Sequence, residues 1–245
     1  MNEYKMKNIA VIFAGGIGKR MSQRALPKQF MKLHGKEIIV HTLEHFQEHE
    51  SIEGIVIACV EEWISFLEKL LKKYGMTKVV SVVPGGKTGQ ESIYHGIKKT
   101  FEIYGKETNV LIHDGVRPLI DADTITRCIE SVEKNGTGIT VAPVTETIIR
   151  VNAGGHIEDV IDRSNCLFAR APQGFRLVEI LEAHEMARKE NKMDFIDSAT
   201  LMQWRGHQLS VVEGPVENIK ITTPMDYFTF RAMIEAKENA YLFGE

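Results

Sequence analysis

A glycine-rich loop after the first apolar run carries the clearest chemical signal in the sequence. The run occupies residues 8–14, and Gly15, Gly16 and Gly18 follow it. Four cationic side chains come next: Lys19, Arg20, Arg24 and Lys28. Glycines let backbone N–H groups approach an anion closely, and nearby cations neutralise its charge. This pattern predicts a binding site for a nucleotide triphosphate.

The sequence fits neither of two well-known nucleotide-binding patterns. The dinucleotide pattern G-x-G-x-x-G requires a small residue where Met21 stands, and no acidic ribose-binding residue stands out at the expected distance. The tail of the Walker pattern resembles Gly86-Lys87-Thr88, yet its first glycine would fall on Ser81. A plain strand-to-helix turn would explain the glycines alone, but Arg20 and Lys28 weaken that alternative.

The length of 245 residues and the composition predict a single domain covering residues 1–245. With 43% hydrophobic residues the chain can bury a sizeable core, and its net charge of -3 argues against a nucleic-acid-binding protein. The three cysteines show no disulfide or zinc spacing, which suits a reducing compartment. No apolar run is long enough to span a membrane, and the N-terminus lacks a signal-peptide core. We therefore expect a cytoplasmic protein with neither nucleic-acid nor membrane partners.

Short apolar runs alternate with longer amphipathic segments along the first part of the chain. The predicted strands cover 8–14, 55–60, 78–83, 109–113 and 138–143, and the predicted helices lie near 38–48, 61–74, 90–104 and 122–134. Near-continuous apolar strands separated by helices predict a parallel sheet covered on both faces. Ligands bind such sheets at the carboxyl ends of the strands. The loops that follow the strands ending near 14, 83 and 113 are therefore expected to meet at one edge.

The pattern changes over about 144–175, where we predict a protruding β-arm. Two alternating segments, 145–150 and 156–161, flank the turn signal Asn-Ala-Gly-Gly at 152–155. Because a two-stranded arm is only marginally stable alone, we expect it to pair with a second copy in a homodimer. Beyond the arm, the predicted elements are helices near 175–187 and 197–205, strands at 209–212 and 219–222, and a last helix from Pro224 capped by Thr223.

Several segments together resemble the cytidylyltransferases that act on sugar-alcohol phosphates. The matching segments are 14–21, 26–30, 85–92, 113–118, 171–173 and 217–224. The family includes enzymes for methylerythritol phosphate and for ribitol 5-phosphate, and 26–36, 39–46 and Trp63 look more like the ribitol-phosphate branch. The resemblance implies a single Rossmann-like, doubly wound, mostly parallel sheet of the nucleotidyltransferase type, from which the β-arm protrudes.

The resemblance also implies transfer of CMP from CTP to a polyol phosphate, with release of pyrophosphate and assistance from Mg²⁺. The acceptor phosphate is already a nucleophile, so catalysis depends mainly on cations and alignment. The residues carried over for CTP are Arg20 and Lys28 as catalytic groups, Ala14, Gly15, Gly16 and Gly18 along the triphosphate, Gly86 and Ser92 at the cytosine, and Asp114 near the phosphates and the metal. The family commonly has an acidic residue and an arginine where Lys87 and Gly89 stand, so contact with the base is expected through backbone groups.

For the acceptor, the resemblance implies Asp114, Arg117, Thr147, Arg163 and Lys220. Arginine and lysine suit a phosphate monoester, since they supply charge and hydrogen-bond donors together. Thr147 and Arg163 belong to the arm and would reach into the partner's site in a dimer, although a strand-edge charge is an alternative for Arg163. The methylerythritol enzymes often have threonine where Ala171 stands, which counts against methylerythritol phosphate as the acceptor.

The leading interpretation is therefore a cytidylyltransferase that makes CDP-ribitol from D-ribitol 5-phosphate. A 2-C-methyl-D-erythritol 4-phosphate cytidylyltransferase of isoprenoid synthesis is the alternative within the class. A noncatalytic nucleotide-binding dimer, motivated by Lys87 and Gly89, and a nicotinamide oxidoreductase are alternatives from other classes. His113 is interpreted as a structural residue, and Asp197 as a helix cap or a functional group.

Overall fold

The computed structural model of the chain describes residues 6–14 and 26–243. Its strands are, in chain order, β1 (Lys7–Ala14), β2 (Lys32–Leu33), β3 (Lys36–Glu37), β4 (Gly54–Cys59), β5 (Val79–Pro84), β6 (Thr108–Asp114), β7 (Thr137–Pro143), β8 (Ile148–Val151), β9 (Ile157–Ile161), β10 (Leu167–Arg176) and β11 (Val211–Glu213). The α-helices are α1 (Ile38–Glu48), α2 (Ile64–Lys73), α3 (Gly89–Tyr104), α4 (Ala122–Asn135), α5 (Leu177–Lys189), α6 (Ser198–Trp204) and α7 (Pro224–Phe243).

Seven of these strands form one sheet, in the order β11-β7-β10-β6-β1-β4-β5. Neighbouring strands are parallel except around β10, which runs antiparallel to both β6 and β7. Side chains of α1, α2 and α4 form the core on one face, and those of α3, α5 and α6 form it on the other. The prediction of an α/β fold with a doubly wound, mostly parallel sheet is confirmed.

Burial explains why the central strands read as continuous apolar runs. Every residue of β4 and β6 is buried, because helices cover both faces of the sheet at these positions. The registers place Phe13 beside Asp114, Ala14 beside Cys59, and Cys59 beside Pro84. The carboxyl ends of β1, β4, β5 and β6 therefore meet at one edge, as predicted.

One strand of the main sheet was not predicted. β10 enters antiparallel between β6 and β7, so the predicted end of the arm at residue 175 lies inside a central strand. Proline and glycine are unusual inside central strands, and Pro172 and Gly174 hide this one from a pattern of apolar alternation. The two-stranded arm itself consists of β8 and β9, paired antiparallel from Ile148 opposite Ile161.

The predicted strand at 219–222 is wrong, although the segment is held firmly. Ile221 is fully buried beside Val116 and Phe230, and its N–H donates to the carbonyl of Val116 at 3.0 Å. This apolar contact accounts for the strand-like pattern, but no ladder of hydrogen bonds follows. The last helix begins at Pro224 as predicted, and the Thr223 hydroxyl accepts the N–H of Asp226 at 3.3 Å.

We expect Gly174→Ala to lower the free energy of unfolding by about 1–3 kcal/mol, the usual cost of overpacking a core. A Cβ atom at this position of β10 would lie 2.6 Å from a methyl group of Val132 and 2.8 Å from the Cys128 sulfur, both on α4. Urea unfolding measures the change. Gly89→Ala is the matched control, because a Cβ there meets nothing within 4 Å. An unchanged unfolding midpoint for Gly174→Ala would contradict this close packing.

Candidate active site

A cavity of about 250 Å³ lies at the carboxyl edge of the sheet, between β6, β10 and helices α3, α5 and α6. Its charged lining consists of Asp114, Arg117, Arg170, Asp197 and Lys220. These residues come from β6, the turn after it, β10, the N-terminus of α6 and the segment before α7. The topology thus brings charged side chains from five separate segments to one place.

Asp114 forms the centre of this charged lining. One carboxylate oxygen, Oδ2, accepts from Arg117 Nε at 2.7 Å, and the other, Oδ1, lies 2.6 Å from Lys220 Nζ. Burial alone raises the pKa of Asp114, but the positive charges and hydrogen bonds of Lys220 and Arg117 outweigh it and hold the pKa at about 2. The structure therefore brings together three of the residues predicted for the acceptor.

Neighbouring backbone groups fix Arg117 in place. Its Nη1 donates to the carbonyl of Asn218 at 2.9 Å, and its own carbonyl lies 3.1 Å from Nε2 of His113. His113 is fully buried, and burial lowers its pKa to about 4, so the imidazole is neutral at neutral pH. These contacts support the structural role that the sequence suggested for His113.

Gln29 positions the segment that contains Lys28. The buried Gln29 side chain donates from Nε2 to the carbonyl of Ala14 at 2.9 Å, which ties the segment to the end of β1. Lys28 is half-buried and begins the short 3-10 turn Lys28–Phe30. The predicted site residues Gly15, Gly16, Gly18 and Arg20 lie outside the described residues, so their roles stay predictions.

The predicted cytosine residues Gly86 and Ser92 are joined at the start of α3. The Gly86 N–H donates to the Ser92 hydroxyl at 3.0 Å, and that hydroxyl donates to the carbonyl of Thr88 at 2.9 Å. A Cβ atom at Gly86 would overlap the side chain of Glu91, which explains the need for glycine. The Lys87 N–H donates to the Glu91 carboxylate at 2.8 Å. The turn is thus held without the family's usual side chains.

The two predicted acceptor residues of the arm do not line the cavity of their own chain. Arg163 Nη1 donates to the carbonyl of Thr145 at 2.7 Å, and Thr147 lies just before β8. The arm also exposes apolar side chains, with Ile157 64% and Val160 61% exposed. Each stands opposite another exposed apolar residue, Val151 and Ile149 respectively, so the arm carries a contiguous apolar patch of the kind that marks interaction surfaces.

The sequence did not single out two polar residues that line the cavity, Gln173 and Arg170. Gln173 of β10 donates from Nε2 to Asp197 Oδ2 at 3.0 Å and accepts the N–H of Ala199 at 3.0 Å. Asp197 caps α6 by accepting the N–H of Thr200 at 2.8 Å, as the capping alternative predicted. Arg170 was not singled out because the strand that carries it was not recognised. Its place directly before the matched segment 171–173 was the available signal.

The described residues offer little for a metal ion by themselves. Within 6–14 and 26–243, no group of three or more His, Cys, Asp or Glu side chains could hold one. Both oxygens of Asp114 are already engaged by cations. Such a donor set fits a Mg²⁺ ion held mainly through the oxygens of a bound triphosphate, with at most one protein carboxylate.

No helix of the described chain is long and apolar enough to cross a bilayer.

Known proteins are similar to this chain in both sequence and fold. The family model described as IspD, 2-C-methyl-D-erythritol 4-phosphate cytidylyltransferase, matches residues 8–236. A ribitol-5-phosphate cytidylyltransferase of Vibrio parahaemolyticus serotype O3:K6 is 48% identical over 97% of this chain and 100% of its own length. A 2-C-methyl-D-erythritol 4-phosphate cytidylyltransferase of Bacillus licheniformis is 36% identical over 93% of this chain and 96% of its own.

The similarity extends to solved structures. A crystal structure of a 4-diphosphocytidyl-2C-methyl-D-erythritol synthase superposes with a TM-score of 0.77 at 26% identity, and covers 94% of this chain and 99% of its own. The similarity in sequence and the similarity in fold therefore both extend over nearly the full length of this chain. The chain belongs to the IspD family of cytidylyltransferases, which are nucleotidyltransferase enzymes.

Proposed function

We propose that this protein transfers CMP from CTP to D-ribitol 5-phosphate, producing CDP-ribitol and pyrophosphate. The observation that carries the proposal is the buried Asp114, which holds Arg117 and Lys220 on the wall of a cavity at the carboxyl edge. Two preformed cations suit a phosphate monoester. The 48% identity to a ribitol-5-phosphate cytidylyltransferase, against 36% to a methylerythritol enzyme, supports ribitol 5-phosphate as the acceptor.

The proposed reaction exchanges one phosphoanhydride bond for another. An oxygen of the acceptor phosphate bonds to the α-phosphorus of CTP, while the bond from that phosphorus to the bridging β-phosphate oxygen breaks. Pyrophosphate leaves with the electron pair. Arg20 and Lys28 would neutralise the charge that builds on the α-phosphoryl oxygens and on the leaving group. The tie between Gln29 and Ala14 supports this role for Lys28, because it places the lysine near the end of β1.

Mg²⁺ is part of the proposal as a companion of CTP. When bound, it would offset the negative charge of the pyrophosphate group. Asp114 is the carboxylate that the sequence predicts near the metal. Because its two oxygens are paired with Arg117 and Lys220, an indirect role in holding Mg²⁺ is favoured over direct ligation. In this proposal Asp114 mainly positions the two cations.

We also propose that the working unit is a cytoplasmic homodimer joined through the arm. The exposed apolar side chains of β8 and β9 support dimerisation. In the dimer, Thr147 and Arg163 of one protomer would complete the acceptor site of its partner. The thiols Cys59, Cys128 and Cys166 are all free, which supports a reducing compartment.

Pyrophosphate release from CTP and Mg²⁺ tests the proposed reaction. We expect kcat/KM to be about 10-fold or more higher with D-ribitol 5-phosphate than with 2-C-methyl-D-erythritol 4-phosphate. Lys28→Ala should lower kcat by about 100- to 1000-fold, because it removes a preorganised cation from the transition state. Lys98→Ala is the control, since Lys98 is an exposed lysine of α3.

Two outcomes would replace this proposal. Release only with the methylerythritol substrate would make the acceptor wrong. CTP binding without release under any acceptor would favour the noncatalytic nucleotide-binding dimer.

We expect Asp114→Asn to destabilise the fold at neutral pH by about 3 kcal/mol, because Arg117 and Lys220 lose a buried counter-charge. The folded pKa of about 2 lies below the ordinary 3.8, so the carboxylate stabilises the fold above pH 4. About 2 kcal/mol of this is lost as the pH falls from about 4 to about 2. Urea unfolding over this range should show a steeper loss for the wild type than for Asp114→Asn. Asp123→Asn is the control, and equal pH slopes for wild type and Asp114→Asn would rule out the effect.

The arm makes a separate prediction about assembly. Val160→Asp should shift the protein towards a monomer, because it places a charge on the exposed apolar surface of β9. The kcat/KM for the acceptor should fall with it, while CTP affinity is kept. Light scattering measures the oligomeric state, pyrophosphate release measures kcat/KM, and titration calorimetry measures CTP affinity. Val211→Asp on the sheet edge, where the side chain is equally exposed, should leave all three unchanged. A Val160→Asp protein that stays dimeric and fully active would exclude the arm as the interface.

A further inference from the structure

Arg170 lies in an irregularity of β10 that faces the cavity. Ala169 pairs with Val141 of β7, and the next pair is Gln173 with Ile139, so three residues of β10 stand opposite one of β7. A bulge of this kind bends the strand and redirects its side chains, and such bulges are common beside active sites. Arg170 is the first residue of the bulge, and it lines the cavity together with Arg117 and Lys220.

Hydrogen bonds from two other segments hold the bulge in this shape. The fully buried Asn218 donates from Nδ2 to the carbonyl of Ala171 at 2.6 Å. Thr140 donates from its hydroxyl to the carbonyl of Pro172 at 2.7 Å. Asn218 also accepts from Arg117 through its own carbonyl, so the same residue fixes both the bulge and the neighbouring cation. The position of Arg170 is therefore built into the fold.

The positive charge of Arg170 is not compensated within the described residues. Of the two carboxylates lining the cavity, Asp114 is engaged by Arg117 and Lys220, and Asp197 accepts from Gln173 and Thr200. In the described part of the chain, no carboxylate lies within ion-pair distance of Arg170, and its buried Nε has no hydrogen-bond partner.

Such a group is costly unless something else binds it. Burial lowers the pKa of Arg170, and the charge of Arg117 lowers it further, yet a guanidinium keeps its proton at neutral pH. The guanidinium carbon of Arg170 lies 5.5 Å from the centre of the Phe168 ring, a contact that offsets part of this cost. A partly buried cation that no described carboxylate pairs with still raises the free energy of the empty protein. An anion that enters the cavity would remove this cost.

The order of the strands indicates which anion this is. The groups predicted for CTP stand at the ends of β1 and β5, on one side of β6, namely Ala14, Lys28 and Gly86. Arg170 stands on β10, on the other side of β6, where Arg117 and Lys220 also line the cavity. Arg170 is therefore placed on the acceptor side of Asp114 rather than on the nucleotide side.

We propose that Arg170 is a further acceptor-binding residue, whose guanidinium donates hydrogen bonds to the phosphate monoester of the polyol phosphate. This inference rests on the proposed function for the identity of the acceptor. The described lining of the cavity holds three cations, Arg117, Arg170 and Lys220, and two carboxylates, Asp114 and Asp197, and this excess of positive charge matches an anionic acceptor and not a free polyol. The planar guanidinium can bind two phosphate oxygens at once, so lysine should replace it only in part.

The test compares Arg170→Gln, Arg170→Lys and the wild type in steady-state kinetics. We expect Arg170→Gln to raise the KM for D-ribitol 5-phosphate by about 10- to 100-fold, with the KM for CTP unchanged within about 2-fold. Arg170→Lys should recover part of the loss. Arg205→Gln is the matched control, because Arg205 lies outside the cavity against Trp204.

Thermal unfolding separates binding from a structural role. Arg170→Gln removes a charge that no described carboxylate pairs with, so the Tm of the variant should equal or exceed that of the wild type. A lowered Tm, or KM values for CTP and acceptor that rise together, would mean that Arg170 only supports the fold and would overturn the proposal. An unchanged KM for the acceptor would overturn it as well.

Titration calorimetry keeps this test independent of turnover. D-ribitol 5-phosphate, D-ribitol and inorganic phosphate are titrated into the wild type and into Arg170→Gln. The two phosphates should bind the wild type and lose affinity in the variant, whereas D-ribitol should bind neither protein measurably. If the wild type binds phosphate through Arg170 but turns over no polyol phosphate, the proposed function fails and the phosphate contact stands. If wild type and variant bind both phosphates equally, or if neither binds them, the contact is refuted whatever the turnover.

Discussion

Two ion pairs on one buried carboxylate, that of Asp114, set the geometry of the candidate site. Burial alone would favour the neutral acid, but Lys220 and Arg117 keep it charged. The carboxylate in turn fixes two flexible cationic side chains, one from the turn after β6 and one from the segment before α7. Because those cations already have fixed positions, an incoming phosphate does not have to order them, and this preorganisation lowers the entropic cost of binding.

The sheet divides the site into two halves with β6 at the boundary. On one side, the ends of β1 and β5 lie next to Lys28 and Gly86. On the other side, β10 enters in the opposite direction and presents Arg170 and Gln173. Asp114 ends the strand between the halves. In the proposed reaction, two anionic substrates would approach each other from opposite sides of this carboxylate, with cations on both flanks to reduce their repulsion.

Much of the architecture could be predicted from local patterns, because the parallel strands are buried on both faces and read as apolar runs. Helix α1 and the start of α7 at Pro224 match the predicted bounds. The strand β10 could not be predicted in this way, since Pro172 and Gly174 contradict strand propensity. Side chains distant in the sequence hold the bulge around Pro172, and Gly174 pairs with Leu111 and Gly138 of the neighbouring strands. The opposite error occurred at 219–222, where an apolar pattern predicted a strand that the structure lacks. Ile221 is apolar because it packs in a buried cluster, and it does not pair with a neighbouring strand.

The same division applies to the candidate site. Asp114 and Lys220 were found through motif resemblance, and the structure joins them although they stand far apart in the chain. The sequence marked Arg170 only by its place directly before the matched segment 171–173, because neither the bulge nor the lack of a carboxylate partner among the described residues is visible in a linear sequence. Gly15, Gly16, Gly18 and Arg20 rest on the sequence pattern alone.

The three free thiols differ in burial, and this difference suits the protein to selective labelling with a fluorescent dye. Burial raises the pKa of Cys59 to about 11 and that of Cys128 to about 12, so both stay protonated and shielded from alkylating reagents at neutral pH. Cys166 is partly exposed and directly follows the short turn Arg163–Asn165 at the base of the arm. A maleimide dye would therefore attach mainly at that point, and its fluorescence would follow the arm without any engineered cysteine.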